Sequence, residues 1–157
     1  MRQSSVKLDA IDRRILAALQ ADGRLTNNDL AERVGLSPSP CLRRVRALEA
    51  AGTIKGYIAI LDPTQLGLGT SVFVRVWLRG QDDETVQRFN ESILDLPQVV
   101  ECHMMAGDCD FLLRVVARDL DAYRRFQAEK LARIEGVQSL KTDIPLQRVK
   151  LTASLPL

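Results

Sequence analysis

The stretch SPSPCLRRVRALEAAG, Ser37 to Gly52, constrains this chain more than any other, because it specifies a helix, both of its ends and its buried side. Ser37 is a good N-cap. Pro38 suits the first turn, where a missing N–H costs nothing, and Gly52 stands where a helix takes a left-handed residue after its last turn. Cys41, Leu42, Val45 and Leu48 recur at helical spacing and form one buried stripe. The opposite face then carries Ser39, Pro40, Arg43 and Ala47. Small residues near the amino end let a backbone approach closely, and Arg43 reaches outward toward base edges. Arg44 and Arg46 flank the exposed face, set for phosphates. This is the layout of a helix that enters a groove of double-stranded DNA.

The preceding segments support that reading. LDAIDRRILAALQADG, from Leu8 to Gly23, places Leu8, Ile11, Ile15, Leu16 and Leu19 at helical spacing, with Gly23 positioned to end the helix. In TNNDLAERVG, Thr26 is followed three residues later by Asp29, an approximate capping box, and Leu30, Ala31 and Val34 make a short apolar face before Gly35. A short helix, a turn and a longer basic helix in succession is helix-turn-helix order, with the first helix as a third prop. After Gly52, TIKGYIAIL reads as a short β segment, with Lys55 and Gly56 at a wing beside the DNA backbone.

Composition agrees with a folded protein of one medium or two small domains: 157 residues, 46% hydrophobic and 27% charged. No apolar run approaches the ~20 residues of a membrane span. The start, MRQSSVKLDAIDRR, lacks the apolar core of a signal peptide, so the expected location is cytoplasmic, with no membrane partner. Residues 1–62 hold 10 Lys/Arg against 7 Asp/Glu, and the remainder 12 against 13. An imbalance this small is ordinary solvated surface and does not by itself indicate nucleic acid. Cys41, Cys102 and Cys109 are odd in number and widely spread, which argues against a disulfide framework. Cys102, His103 and Cys109 lack the paired spacing of a tetrahedral metal site, so no metal is expected.

The chain changes character near Leu61. DPTQLGLGT, from Asp62 to Thr70, concentrates turn residues and reads as a hinge. The expected division is therefore a DNA-binding domain over 1–61, a hinge over 62–70 and a second domain over 71–157. SVFVRVWL is a strand with Val72, Val74, Val76 and Leu78 on one face and Phe73, Arg75 and Trp77 on the other. DDETVQRFNESILDLP is an acidic-started amphipathic helix ended by Pro97. QVVECHMMAG and CDFLLRVVA are two strands joined by a tight Gly107-Asp108 turn. DLDAYRRFQAEKLARIEG is a helix capped by Asp119, and VQSLKTDIPLQRVKL is a last strand, irregular at Pro145. The order βαββαβ gives a four-stranded antiparallel sheet with two helices on one face, a ferredoxin-like arrangement in an α+β chain. One sheet face, bearing Phe73 and Trp77, is left uncovered, so self-association is the physical expectation. A reading head of about 60 residues is marginal alone, which adds to the case for a symmetric dimer on a palindromic site.

With both halves in view, the sequence resembles the Lrp/AsnC family. The resemblance runs from LDAIDRRIL to about Leu151, and its most specific pieces are LSPSPCLRRVRALEAAGTIKGYIAILDP, ECHMMAGDCDFLLRV and DLDAYRRFQAEKLARIEGV. It implies a transcriptional regulator with an N-terminal winged helix-turn-helix and a C-terminal ferredoxin-like (RAM) effector domain. It further implies homodimers that assemble into octamers or similar discs, and an amino-acid effector, with no cofactor, bound between subunits. The family's effector site lies near a Gly-x-x-Asp turn, here Gly107, Asp108, Cys109 and Asp110. Glycine exposes backbone N–H groups to a carboxylate, and Asp108 or Asp110 accepts hydrogen bonds from an ammonium. Gly and Asp are equally what any tight hairpin uses. His103, Met104 and Met105 on the approaching strand either line the pocket or belong to the core, and Ser139 and Thr142 supply hydroxyls by resemblance. Cys109 and Phe111 depart from the aromatic pair common at these positions, so the resemblance leaves the effector's identity open.

Two other classes compete. A branch of proteins resembling this family performs decarboxylation in haem synthesis, but here His103 is the single histidine and no nucleophile-base pair is recognisable. The other is an amino-acid sensor acting through protein contacts, with the helix-turn-helix as an interaction surface. Three arginines on an amphipathic helix are by themselves an ordinary solvated face. The preceding capped helix, the turn and the small exposed residues reverse that balance in favour of DNA.

Overall fold

A computed structural model describes residues 7–157, and its contacts divide the chain into two compact units. One ends at Ile60 and is joined by Lys150–Leu157; the other is Leu61–Val149. Residues 1–6, on which the reading of the amino-terminal stretch partly rests, lie outside the described residues. Among the described residues no helix is long and apolar enough to cross a membrane.

The first unit is three helices: α1 (Ala10–Ala21), α2 (Asn27–Val34) and α3 (Pro38–Ala50). Asp9 starts α1 by accepting from the N–H groups of Ile11 and Asp12, while the Asp12 carboxylate accepts from Asp9 N–H, a complete capping box. Thr26 starts α2 by accepting from Asp29 N–H, and Gly35 ends it at φ 73°. Beyond α3, Gly52 at φ 70° allows Thr53 N–H to reach the Leu48 carbonyl and Gly52 N–H to reach Glu49, which closes the helix. The core is Ile15, Leu16, Ala18, Leu30, Ala31, Val34, Cys41, Val45 and Leu48.

Three local expectations change here. Leu42 is 37% exposed rather than part of the buried stripe, because Cys41, Val45 and Leu48 already fill the contact with α1 and α2. Gly23 does not adopt a left-handed conformation; α1 ends at Asp22, whose extended backbone stops the helix without it. The segment from Thr53 to Leu61 forms no strand, and among the described residues no strand lies beside it to accept its hydrogen bonds. Its Tyr57 hydroxyl donates to Glu49 of α3 at 3.1 Å, while Ile58 and Ile60 are 86% and 80% exposed.

The second unit holds β1 (Thr70–Leu78), α4 (Asp83–Leu94), β2 (Val99–Met104), β3 (Phe111–Ala117), α5 (Leu120–Glu129), a 3-10 turn (Leu131–Arg133) and β4 (Val137–Asp143). The sheet order is β2-β3-β1-β4, with every neighbouring pair antiparallel. Alternation along β1 and β3 sends Val72, Val74, Val76, Phe111, Leu113 and Val115 under the helices. There they pack against Phe89, Ile93, Tyr123, Phe126 and Leu131. Asp82 and Asp119 cap α4 and α5, accepting from Thr85 and Ala122 N–H. These backbone donors hold both carboxyls below the usual carboxylate range. A bulge at Val100 shifts β2 so that Glu101 and His103, opposite Arg114 and Leu112, share the open face. The last strand stops at Asp143, two residues before Pro145, instead of continuing irregularly through it; Pro145 has no N–H to extend the ladder.

Candidate functional site

The buried side of α3 determines which residues the helix shows outward. At about 100° per residue, Arg43 points nearly opposite the centre of Cys41, Val45 and Leu48, with Ser39 about 40° and Arg46 about 60° away from it on one side. Ser37, Ser39, Arg43 and Arg46 are exposed, Pro40 is half-buried, and Lys55 is exposed just beyond the Gly52 turn. Ser37 occupies the N-cap position, but its hydroxyl makes no cap bond, so that oxygen remains available outside the helix. Asn27, in the first turn of α2, was not singled out by the sequence. Its amide donates to the Pro38 carbonyl at 2.9 Å and fixes the start of α3 against α2, while its Oδ1 is buried without a partner. Nothing in the local pattern marks such a residue, because its partner lies in the next helix.

Arg44 departs from the expected layout. It turns toward α1, where its guanidinium donates to Asp9 at 2.7 Å and to Asp12 at 2.8 Å. The two carboxylates push the Arg44 pKa up, and the Asp9 carboxyl is held down first by Asp12 N–H and then by Arg44. Arg44 thus braces α1 against α3, with its guanidinium engaged by two carboxylates of the same unit. We expect Arg44→Ala to lower the melting temperature of the first unit and leave the salt dependence of DNA binding unchanged. Arg46→Ala should reduce the slope of log affinity against log salt by about 1 and leave melting unchanged. Calorimetry and salt-titrated mobility shifts on the two variants check this pair.

The second cluster surrounds the loop between β2 and β3. Met105 N–H donates to the Asp110 carbonyl at 2.9 Å and closes four residues, Ala106 to Cys109, with Gly107-Asp108 at their centre. β1 holds this loop from three sides. The Trp77 indole donates to the Asp108 carbonyl at 2.5 Å, Leu78 N–H donates to Asp110 Oδ2 at 2.7 Å, and Asp110 N–H donates to Val76 at 3.0 Å. Gln81 adds a bond to Asp110 Oδ1 at 2.8 Å, so both Asp110 oxygens are engaged inside the chain. The Asp108 carboxylate is 84% exposed and lies 3.7 Å from Arg75, which is itself paired with Asp143 at 2.7 Å. Asp108 is therefore the freer acceptor.

The remaining effector candidates divide by face. His103 lies on the open face, with Nε2 3.8 Å from Glu101. Met104 and Met105 are exposed and not core. Ser139 stands opposite Trp77 in the β1–β4 register, and it lines a shallow cleft of about 430 Å³ with Arg79, Gln127, Val137 and Leu140. Thr142 faces the helices instead, bonded to the Tyr123 hydroxyl and to Gln127 Nε2 at 3.3 Å. The structure thus groups Gly107, Asp108, Asp110 and Ser139 around Trp77 and leaves Thr142 apart. Arg75, Trp77 and Gln81, which the sequence reading left out of the site, hold the loop in place. Among the described residues no group of three or more His, Cys, Asp or Glu side chains is placed to hold a metal ion.

Comparison with known proteins bears on both clusters. The pattern described as the Lrp/AsnC ligand binding domain matches residues 71–155, and that of the winged helix-turn-helix DNA-binding domain matches residues 8–55. The chain is 44% identical over 143 residues to the leucine-responsive regulatory protein of Escherichia coli (strain K12), spanning 91% of this chain and 87% of the relative. A transcriptional regulator of Neisseria meningitidis, solved as a complex with L-Met, matches with a TM-score of 0.92 and 41% identity over 96% of this chain and 97% of that one. An AsnC family regulator from Agrobacterium tumefaciens matches with a TM-score of 0.89 and 39% identity, over 95% and 97% of the two chains.

Proposed function

Because the chain belongs to the Lrp/AsnC family and is a helix-turn-helix DNA-binding regulator with a ligand-binding domain, we propose how its residues divide that work. The division is 1–61 for reading DNA, 62–70 as hinge and 71–157 for the effector and for self-association. Arg43 reads a base edge, while Ser37, Ser39 and Pro40 allow close approach and Arg46 and Lys55 meet phosphates. The observation that carries this reading is the outward face of α3, whose orientation follows from its buried stripe and from the Arg44 and Asn27 contacts. A mobility-shift titration on the DNA upstream of the chain's own gene tests it. A salt-sensitive, sequence-dependent shift is expected, and a molecule that ignores duplexes at low ionic strength overturns it.

The effector we propose is a free α-amino acid, with L-Met the first to try, since a relative is solved with it. Its ammonium meets Asp108, and its carboxylate meets the N–H groups of the Gly107 loop. His103, Met104, Met105 and Ser139 border this site. In a thermal-shift screen of the twenty amino acids, a saturating ligand at 100 times its Kd stabilises by about 2.7 kcal/mol, enough to raise the melting point by several degrees. Asp108→Asn should remove the shift; if the shift survives, the pocket lies elsewhere. The open sheet face with Phe73 and Trp77 and the exposed segment from Tyr57 to Leu61 support a homodimer on a palindromic operator. Further assembly to an octamer or similar disc is part of the same proposal, as are a cytoplasmic location and a regulatory role without catalysis.

A further inference from the structure

The carboxyl-terminal residues Lys150–Leu157 pack with the three-helix unit, and one side chain explains how they are held. Gln20, exposed in the last turn of α1, takes both main-chain groups of Leu155. Leu155 N–H donates to Gln20 Oε1 at 2.6 Å, and Gln20 Nε2 donates to the Leu155 carbonyl at 3.1 Å. In extended backbone the N–H and C=O of one residue point to the same side, so a single primary amide satisfies both, as a neighbouring strand does. Pro156 favours that conformation, because a residue preceding proline is restricted to extended backbone. Ser154 N–H donates to Thr152 Oγ1 at 3.1 Å and sets a bend just before the contact. The Leu155 side chain is 71% exposed, so recognition rests on main chain.

We propose that Gln20 is a receptor for extended main chain, and that its occupant is this chain's own carboxyl-terminal segment, which latches onto α1. The chain leaves the reading unit at Ile60 and returns to it at Lys150. The latch thus lies within that unit, between its first helix and its last residues.

Hydrogen exchange on the full-length protein tests the proposal through the Leu155 amide. Gln20→Ala should speed its exchange about tenfold, the effect of one to two net hydrogen bonds, with helix α1 intact because alanine favours helix. Leu155→Ala should leave exchange unchanged after correction for intrinsic rate. Equal exchange in Gln20→Ala and the unaltered protein overturns the latch, and so does a Leu155→Ala variant as fast as Gln20→Ala. A second measurement identifies the occupant. In a Cys102→Ser background, Gln20→Cys with Leu155→Cys should oxidise to a disulfide within one chain. A band of twice the mass assigns the segment to another copy and overturns the own-chain latch.

Discussion

Arg43→Ala should weaken binding to the specific operator by about fivefold to 150-fold, the ~1–3 kcal/mol of a lost bidentate base contact. Non-specific binding should change much less, so the ratio of the two affinities collapses. The argument starts in the core. Cys41 and Leu48 are 0% and 3% exposed, which fixes the roll of α3 and sends Arg43 outward. Asn27 and Arg44 hold that roll from α2 and α1. Arg43→Lys should recover little of the loss, since an ammonium has no planar fork to match a guanine edge. Quantitative mobility shifts on operator and unrelated duplex, with melting temperature as control, check the prediction. Unchanged operator affinity for Arg43→Ala means that another face of the helix reads the DNA.

Phe89→Ala should cost the second unit about 3–5 kcal/mol, the range for emptying a large aromatic site. Total stability of a domain is only about 5–15 kcal/mol, so this one substitution removes much of it. Phe89 is fully buried on α4, with its ring centroid 4.5 Å from that of Phe111 on β3. Val74, Val76 and Leu113 around it belong to strands with paired backbones, which limits how far the site can collapse. Trp77 is the chain's single tryptophan and lies on β1, so its fluorescence reports this unit by itself. Denaturant titration should move the Trp77 transition strongly and leave the helical signal of the first unit in place. Loss of both transitions together would show that the units unfold as one.

Much of this architecture was legible because it rests on local periodicity. Alternation along SVFVRVWL sorted Val72, Val74, Val76 and Leu78 from Phe73, Arg75 and Trp77, and the sheet keeps that sorting. Caps were legible for the same reason: Thr26 and Asp119 bond to N–H groups three residues away. What the pattern hid depends on partners far along the chain. The spacing on α3 sets Arg44 beside the exposed face, and its contact with Asp9, 35 residues earlier, leaves no mark in that spacing. Asp110 could be a ligand or a turn residue by sequence, and its bonds to Leu78 and Gln81 reveal the internal duty. Ser139 and Thr142 looked like one pair, yet a separation of three along a strand places them on opposite faces. Leu42 marks the limit of helical spacing as a guide, because a stripe read from sequence has no measured width.

The two prolines that begin α3 have an effect beyond setting its boundary. Of the first three helical positions, Pro38 and Pro40 have no N–H, which leaves Ser39 as the single free donor there. A helix tip so poor in donors loses little hydration when pressed against stacked base pairs. It is also a weak anion trap, so sulfate or phosphate in a buffer should compete for the arginines and leave the tip of the helix untouched.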